Sequence, residues 1–179
     1  NINFSIAGTY YVNNSGTPAC NNSSADGTKL KPWCTISYGI SNINSGDTLY
    51  VVAGTYNETL YINRPSGSAA KWTVIKAYPG NVVNIVGAGV NTGRVKIINT
   101  SYLVLDGFRI TNYNQGIFVE SSNNILIQNC EVYNIGQEAI GIHYNSDNVT
   151  IKNCTVHDTR KWQYNGEGIY IGTGSGGPL

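Results

Sequence analysis

Hydrophobic and polar positions follow one repeated pattern in three successive segments of the chain, 101–112, 123–134 and 147–158. The segments begin 22 and 24 residues apart, which is the length of one coil of a solenoid. Their apolar residues are spaced by two, then three, then two positions, and this predicts a strand, a one-residue corner and a second strand rather than a helix. The predicted inward positions are Leu103, Leu105, Phe108 and Ile110, then Ile125, Ile127, Cys130 and Val132, then Val149, Ile151, Cys154 and Val156.

The corner positions of the three segments are Gly107, Asn129 and Asn153. Glycine and asparagine enter the left-handed backbone region more readily than other residues, so a sharp bend is expected there. We also expect the Asn side chains of stacked coils to bond to one another inside a buried corner. That position conflicts with a glycan on Asn153, although the residue begins an Asn-x-Thr sequon.

A third strand in each coil is predicted from the segments 116–119, 141–144 and 168–171, which read GIFV, GIHY and GIYI. Three strands per coil make a triangular parallel β-helix, an all-β fold. Ile117, Ile142 and Ile169 would point inward, which leaves the next residue of each segment on the outer face. Segments near 48–56, 60–62, 72–77 and 82–89 supply earlier strands, for about six coils in all.

The first 45 residues differ from the rest and predict an amino-terminal cap. They are polar and contain one short amphipathic stretch, in which Ile36, Ile40 and Ile43 share a helical face. Solenoids need such covers to keep the apolar end of the stack from water. We therefore expect a cap over 1–45 and β-helix coils over 46–179, forming one domain together.

Composition narrows the functional classes. Eleven Lys and Arg nearly balance ten Asp and Glu, so neither a nucleic-acid footprint nor a basic membrane patch is indicated. No apolar run approaches the roughly 18 residues of a membrane helix. Four Cys and no Met are typical of a secreted, extracellular chain. The glycosylation candidates are Asn13, Asn21, Asn22, Asn57, Asn99 and Asn148.

Several segments resemble a known group. The runs YYVNNSGT and KPWCTISYGISNINSGDTLYVVAGTYNE, the repeats NILIQNCEVYN and NVTIKNCTVHD, and the closing NGEGIYIGTG are similar to the amino-terminal part of secreted right-handed parallel β-helix proteins, the group that includes polysaccharide lyases. The resemblance implies catalytic Lys or Arg bases and acidic calcium ligands on later coils, and no matching motif is present here. We therefore expect either that the chain is a fragment or that something else covers the open end of the β-helix. No cofactor is evident from the sequence, and calcium binding is expected only through the resemblance.

Two pairs of cysteines are candidates for disulfides. Cys20 and Cys34 bracket a polar loop, and we expect them to be bonded rather than to be two unrelated thiols. Cys130 and Cys154 hold the same inward position in adjacent coils, so we expect their α-carbons to lie roughly 4.8 Å apart. At that distance they either form a disulfide bridge or stack as small buried thiols. No pair has the close spacing of a zinc site, so we predict no metal site.

The outer ladder of Phe118, His143 and Tyr170 is the main candidate for function, because aromatic faces offer a platform for sugar rings. Its expected neighbours are Glu120, Glu138 and Glu167, together with Arg160, Lys161, Trp162 and Tyr164 of an inserted loop. The alternative is that these rings only pack on one another. His143 with a nearby Glu is also a weak acid/base candidate, whereas Asp147 and Asp158 are typical turn residues.

Three functions remain open from the sequence. The first is an extracellular structural protein that associates with itself end to end, because an uncapped coil invites another strand and a heterologous contact propagates. The second is the front part of a polysaccharide lyase or another carbohydrate-active enzyme. The third is a carbohydrate-binding module. We place the structural interpretation first, with self as the expected partner and polysaccharide as the alternative. Enzymatic activity of this chain alone stays open, and a polysaccharide lyase is the enzymatic alternative.

Overall fold

A computed structural model describes residues 7–63, 66–162 and 166–172. It contains one short helix and sixteen strands in three parallel sheets over these ranges. The elements are β1 Thr9–Val12, α1 Ile36–Asn42, β2 Thr48–Val51, β3 Gly54–Tyr56, β4 Tyr61–Ile62, β5 Thr73–Ala77, β6 Val83–Val86, β7 Val95–Ile98, β8 Ser101–Asp106, β9 Phe108–Thr111, β10 Ile117–Glu120, β11 Asn123–Gln128, β12 Glu131–Tyr133, β13 Ile140–His143, β14 Asp147–Lys152, β15 Thr155–His157 and β16 Ile169–Ile171.

Each sheet forms one side of a triangular parallel β-helix. The first sheet has the order β1-β2-β5-β8-β11-β14, the second β3-β6-β9-β12-β15 and the third β4-β7-β10-β13-β16. All paired strands are parallel, because each strand lies on the equivalent strand of the neighbouring coil. The predicted right-handed parallel β-helix is confirmed, with five to six strands per sheet.

The inward rows fill the centre of the coils with aliphatic side chains. Leu103 pairs with Ile125, which pairs in turn with Val149, and the row two residues further on repeats this arrangement. The predicted inward residues of the first two repeats are at most 2% exposed. Burial of such rows is the main stabilising contribution in a solenoid, because each coil rests on the next.

The corner between the first and second sheets has the predicted backbone but a different environment. Gly107, Asn129 and Asn153 have φ values of 83°, 54° and 52°. The expected buried Asn ladder is wrong, because Asn129 and Asn153 are exposed and the Asn129 amide donates to the Asp106 carboxylate at 2.7 Å. Asn153 is therefore not buried, since the short corner turns these side chains outward, and the conflict expected between its position and a glycan does not arise.

The amino-terminal segment joins the β-helix directly. Strand β1 pairs with β2 and thereby begins the first sheet. Helix α1 follows, with Thr35 as its N-cap and Ile36 and Ile40 buried. The Glu58 carboxylate accepts hydrogen bonds from the backbone N–H groups at the start of this helix, which satisfies donors that a helix leaves unpaired.

The cysteines form one disulfide, between Cys20 and Cys34. Cys130 and Cys154 are free thiols in this structure, and the bridge considered between them is absent. Both thiols lie within reach of backbone carbonyl oxygens, at 3.3 Å for Cys130 and Gln128. The alternative of stacked, unbonded thiols therefore describes the arrangement.

The glycosylation candidates differ in exposure. Asn13 is 5% exposed, and its amide donates to the Thr17 carbonyl, so its position argues against the glycan predicted there. Asn22 is half-buried; its amide donates a hydrogen bond to the Thr35 hydroxyl and accepts one from the backbone N–H of Cys34. The exposed candidates are Asn21, Asn57, Asn99 and Asn148. Glycosylation at these sites stays a prediction.

Candidate functional site

The outer face of the third sheet carries the candidate aromatic residues. Phe118 lies beside Lys96 on one side and beside Gly141 on the other, and Gly141 lies beside Tyr170. Because side chains alternate along a strand, the neighbouring residues Ile117 and Ile140 point into the coil. The face therefore presents one row of positions that runs along the axis through four strands.

His143 occupies the space that Gly141 leaves open in this row. The imidazole lies 4.1 Å from the Phe118 ring, with 18° between the planes, and 4.9 Å from the Tyr170 ring. A Cβ atom at Gly141 would lie 2.5 Å from His143 Nε2. His143 therefore folds back over the glycine and completes an aromatic column of Phe118, His143 and Tyr170.

The sequence predicted this column with the wrong register and the wrong exposure. Gly141, not His143, lies opposite Phe118, whereas His143 is paired with Glu120. The error is a shift of two residues, which keeps every side chain on its predicted face. Phe118 and His143 are each only 6% exposed, so the column is a packed stack and not an open platform.

Two cations cover the Phe118 end of the column. The Arg94 guanidinium carbon lies 4.5 Å from the centre of the Phe118 ring, and Lys96 Nζ lies 5.6 Å from it, within cation–π range. Lys96 also forms a 2.7 Å ion pair with Glu120. Burial lowers the pKa of Arg94, and the charges of Glu138 and Glu120 act in the opposite direction.

A row of polar side chains precedes the third sheet and packs against the column. Glu138 Oε1 lies 3.4 Å from His143 Nε2 and also accepts a hydrogen bond from the Gln115 amide. Glu138 is 7% exposed and Gln115 is 8% exposed. The structure thus brings together His143 and a carboxylate, the pair that the sequence offered as a weak acid/base candidate, but it holds both inside the protein.

The candidates from the inserted loop lie elsewhere. Arg160 and Trp162 are exposed, and the backbone N–H of Trp162 donates to the Gly136 carbonyl, on the turn that leads to Glu138. Lys161 forms a 3.2 Å ion pair with Asp158, which directly follows the last strand of the second sheet. Tyr164 lies outside the described residues. The half-buried Glu167 ends the polar row.

The accessible part of the site is its rim, which we define as Tyr61, Lys96, Glu120 and Tyr170. Tyr61 is 53% exposed and lies beside Lys96 in the neighbouring strand. The Lys96 and Glu120 side chains are 24% and 25% exposed. Tyr170 is half-buried at the far end of the column. The rim offers aromatic surface, donors and acceptors on one side of the molecule.

Arg94, Lys96 and Gln115 were missed by the sequence interpretation. Residues 95–98 form a strand of the third sheet, yet this segment was not among the predicted strands. Val95 lies 22 residues before Ile117, the offset of the first repeat. Extending the repeat one coil towards the amino terminus would have found it.

Metal binding and membrane insertion receive no support from the described residues. Over 7–63, 66–162 and 166–172, no three His, Cys, Asp or Glu side chains form a group that could hold a metal ion. Calcium binding, which rested on resemblance alone, stays a prediction. Within the same ranges no helix is long and apolar enough to cross a membrane.

Comparison with known proteins places the fold. The family model described as "Pel9A-like, right handed beta helix region" matches residues 10–176. An alginate lyase from Paenibacillus sp. str. FPU-7 superposes with a TM-score of 0.71 at 23% identity, over 78% of this chain and 48% of that one. A rhamnogalacturonan lyase superposes with a TM-score of 0.56 at 14% identity, over 95% and 63%. No curated protein sequence matches. At these identities the similarity shows the fold alone, and the chain spans about half to two thirds of the length of these structures.

Proposed function

The chain belongs to the Pel9A-like right-handed β-helix family, and from this membership and the rim on the third sheet we propose that it is the polysaccharide-binding part of a carbohydrate-active protein. The observation that carries the proposal is the grouping of Tyr61, Lys96, Glu120 and Tyr170 along one accessible face. Two proteins of similar fold are named as polysaccharide lyases, which supports a polysaccharide as the ligand.

The rim suits a polymer rich in hydroxyl groups. A tyrosine ring presents an apolar face to the C–H groups of a sugar and a hydroxyl to its polar edge. The Lys96 ammonium group can donate a hydrogen bond to a sugar hydroxyl, and the Glu120 carboxylate can accept one from it. The positive and negative groups around the column nearly balance, and this site therefore selects for hydroxyls and ring shape more than for charge.

The geometry supports binding better than catalysis by this chain alone. A general base must come within hydrogen-bond distance of the proton that it removes. His143 is 6% exposed and lies between two aromatic rings, so substrate contacts Tyr170 before it reaches the imidazole. We assign His143 and Glu138 a positioning role, in which they hold Phe118 and Tyr170 in place.

Affinity electrophoresis tests the proposal directly. The protein is run through gels that contain alginate, polygalacturonate or dextran, and its retardation is compared with that in a plain gel. The affinity of the double variant Tyr61→Ser/Lys96→Gln should fall by at least roughly tenfold, because a hydrogen bond from a charged donor contributes about 1.5–3 kcal/mol.

The matched control is Tyr133→Ser/Lys152→Gln, which removes the same residue types from the second and first sheets. It should be retarded like the parent protein. If no polysaccharide retards the parent, or if the rim variant and the control behave alike, the rim is not the binding site. Ultraviolet absorbance of unsaturated products in the same samples reports any lyase activity.

End-to-end self-association is the second candidate. Ile169 and Ile171 are 49% and 77% exposed although they occupy inward rows, and a second copy stacked on them would cover both. Light scattering on the 179-residue chain should then show polymers, and the substitution Ile171→Lys should dissociate them. A monomer at all concentrations would contradict self-association. An extracellular location is supported by the Cys20–Cys34 disulfide.

A further inference from the structure

A second cluster of aromatic and cationic side chains lies on the outer face of the first sheet, away from the rim. We call it the tyrosine–lysine cluster; it consists of Tyr11 on β1, Tyr50 on β2, Lys76 on β5, Tyr78 directly after β5, and Lys29 from the amino-terminal segment. Tyr11, Tyr50 and Lys76 are consecutive partners across three strands. They therefore form a row along the axis.

The three rings form a compact group. Tyr11 and Tyr50 stack with centroids 5.6 Å apart and 20° between the planes. Tyr78 lies with its ring 5.4 Å from Tyr50 and 6.2 Å from Tyr11. All three residues are half-buried, so part of each ring remains accessible. Mutual packing holds the rings in fixed positions, which lowers the entropy lost when a ligand binds.

The two lysines lie over this group without carboxylate partners. Lys29 Nζ lies 5.1 Å from the centre of the Tyr78 ring and donates a 3.1 Å hydrogen bond to its hydroxyl. Lys76 Nζ lies 5.4 Å from the centre of the Tyr50 ring. Among the described residues no Asp or Glu oxygen lies within 4.0 Å of either ammonium group. Both ammonium groups therefore retain donors for an added anion.

The carboxylate that lies opposite Lys76 in the neighbouring strand already accepts hydrogen bonds from other side chains. Asp106 is the strand partner of Lys76, but its two oxygens accept hydrogen bonds from Gln128 at 3.1 Å and from Asn129 at 2.7 Å. Beyond Asp106 the same outward row continues with Gln128 and Lys152 and contains no further ring. Among the described residues, the combination of aromatic rings with cations in this row is thus confined to the first coils.

We propose that the tyrosine–lysine cluster binds the carboxylate groups of an anionic polysaccharide, at a site separate from the rim of the third sheet. The two ammonium groups pair with uronate carboxylates, the phenol hydroxyls bond to sugar hydroxyls, and the accessible ring surfaces contact sugar C–H groups. The rim, with its balanced charges, recognises the polymer as a sugar; this cluster supplies selectivity for its negative charge. The inference does not require the rim to bind.

The test compares variants that remove equal charge from different places. Lys29→Gln/Lys76→Gln removes the two cluster cations, and Arg160→Gln/Lys161→Gln removes two exposed cations of the inserted loop, outside the first sheet. Retardation is measured in gels containing alginate, which is anionic, and dextran, which is neutral. The cluster variant should lose roughly tenfold in affinity for alginate, because it can no longer form the two exposed ion pairs with uronate carboxylates. It should be unchanged towards dextran, and the control pair should match the parent protein.

Further arms separate this inference from the proposed function. Lys76→Arg in place of Lys76→Gln should restore alginate binding, and added salt should weaken it, since screening acts on exposed charges. Where the rim binds as well, combining the cluster variant with Tyr61→Ser/Lys96→Gln gives a larger loss of alginate affinity than either variant alone. Alginate retardation of the cluster variant equal to that of the control pair would overturn the inference and leave the rim standing. The inference would also be overturned if the rim variant Tyr61→Ser/Lys96→Gln alone abolished all alginate binding.

Discussion

A methyl group added at Gly141 tests the packing of the aromatic column. The Cβ of Gly141→Ala would lie 2.5 Å from Nε2 and 2.9 Å from Cδ2 of His143. Ordinary contacts of a Cβ atom lie between 3.4 and 4 Å, so the imidazole must move by about 1 Å. The ring cannot move far along its normal, because Phe118 and Tyr170 stack on it.

The expected cost is about 2 kcal/mol of the free energy of unfolding. Overpacking of a filled site costs about 1–3 kcal/mol, and a displaced ring also loses part of two aromatic contacts, each contributing about 0.5–1.5 kcal/mol. Urea denaturation followed by circular dichroism measures the change. The slope of the transition should remain unchanged, because the surface exposed on unfolding is the same.

The control is Gly168→Ala, a glycine at the start of the next coil of the same sheet. Its added Cβ would meet only Val156, at 3.5 Å, so we expect a change below about 0.5 kcal/mol. A double-mutant cycle isolates the cause: in a His143→Ala background, Gly141→Ala should cost almost nothing. An equal cost in both backgrounds, or no cost in the parent, would refute the assignment of the clash to His143.

Two further predictions concern the corner between the first two sheets and the adjacent thiols. Asn129→Ala should destabilise the protein by about 1 kcal/mol more than Asn129→Gly in urea denaturation, because φ is 54° and only glycine adopts that region without strain; equal stability would contradict this. The hydrogen bond from the Cys130 thiol lowers the pKa of Cys154 to about 6. Alkylation of Cys154 by iodoacetamide should therefore rise through that pH, and Cys130→Ala should shift the profile upward, whereas an unchanged profile would contradict the assigned cause.

The fold could be predicted from the sequence because its inward rows are under a simple constraint. An inward residue must be apolar and must match the residue one coil away, so Leu103, Ile125 and Val149 recur at a readable spacing. The one-residue corner is equally constrained, since it requires a positive φ. Both features depend on local geometry, and both are visible in a single sequence.

The site was less predictable because outward positions obey no such rule. The register of the third sheet could not be read from the Gly-Ile motif, since a shift of two residues leaves the same faces buried. The burial of His143 depends on the absent side chain of Gly141, and the cover of Phe118 comes from Arg94 on an irregular coil. These are tertiary contacts between positions with no recurring pattern.

The contrast between inward and outward rows also indicates where specificity lies in this molecule. Inward rows leave little chemical freedom, so the coils differ mainly in what they present outside. The outward row of the third sheet changes from Tyr61 and Lys96 to Phe118 and Tyr170, and that of the first sheet from Tyr11 and Tyr50 to Lys76 and Asp106. Both rows run along the axis with about 4.8 Å between coils. Under the two binding proposals, an extended polymer laid along either row would meet a new side chain at each coil, so the order of coils, more than any single residue, would determine which polymer is bound.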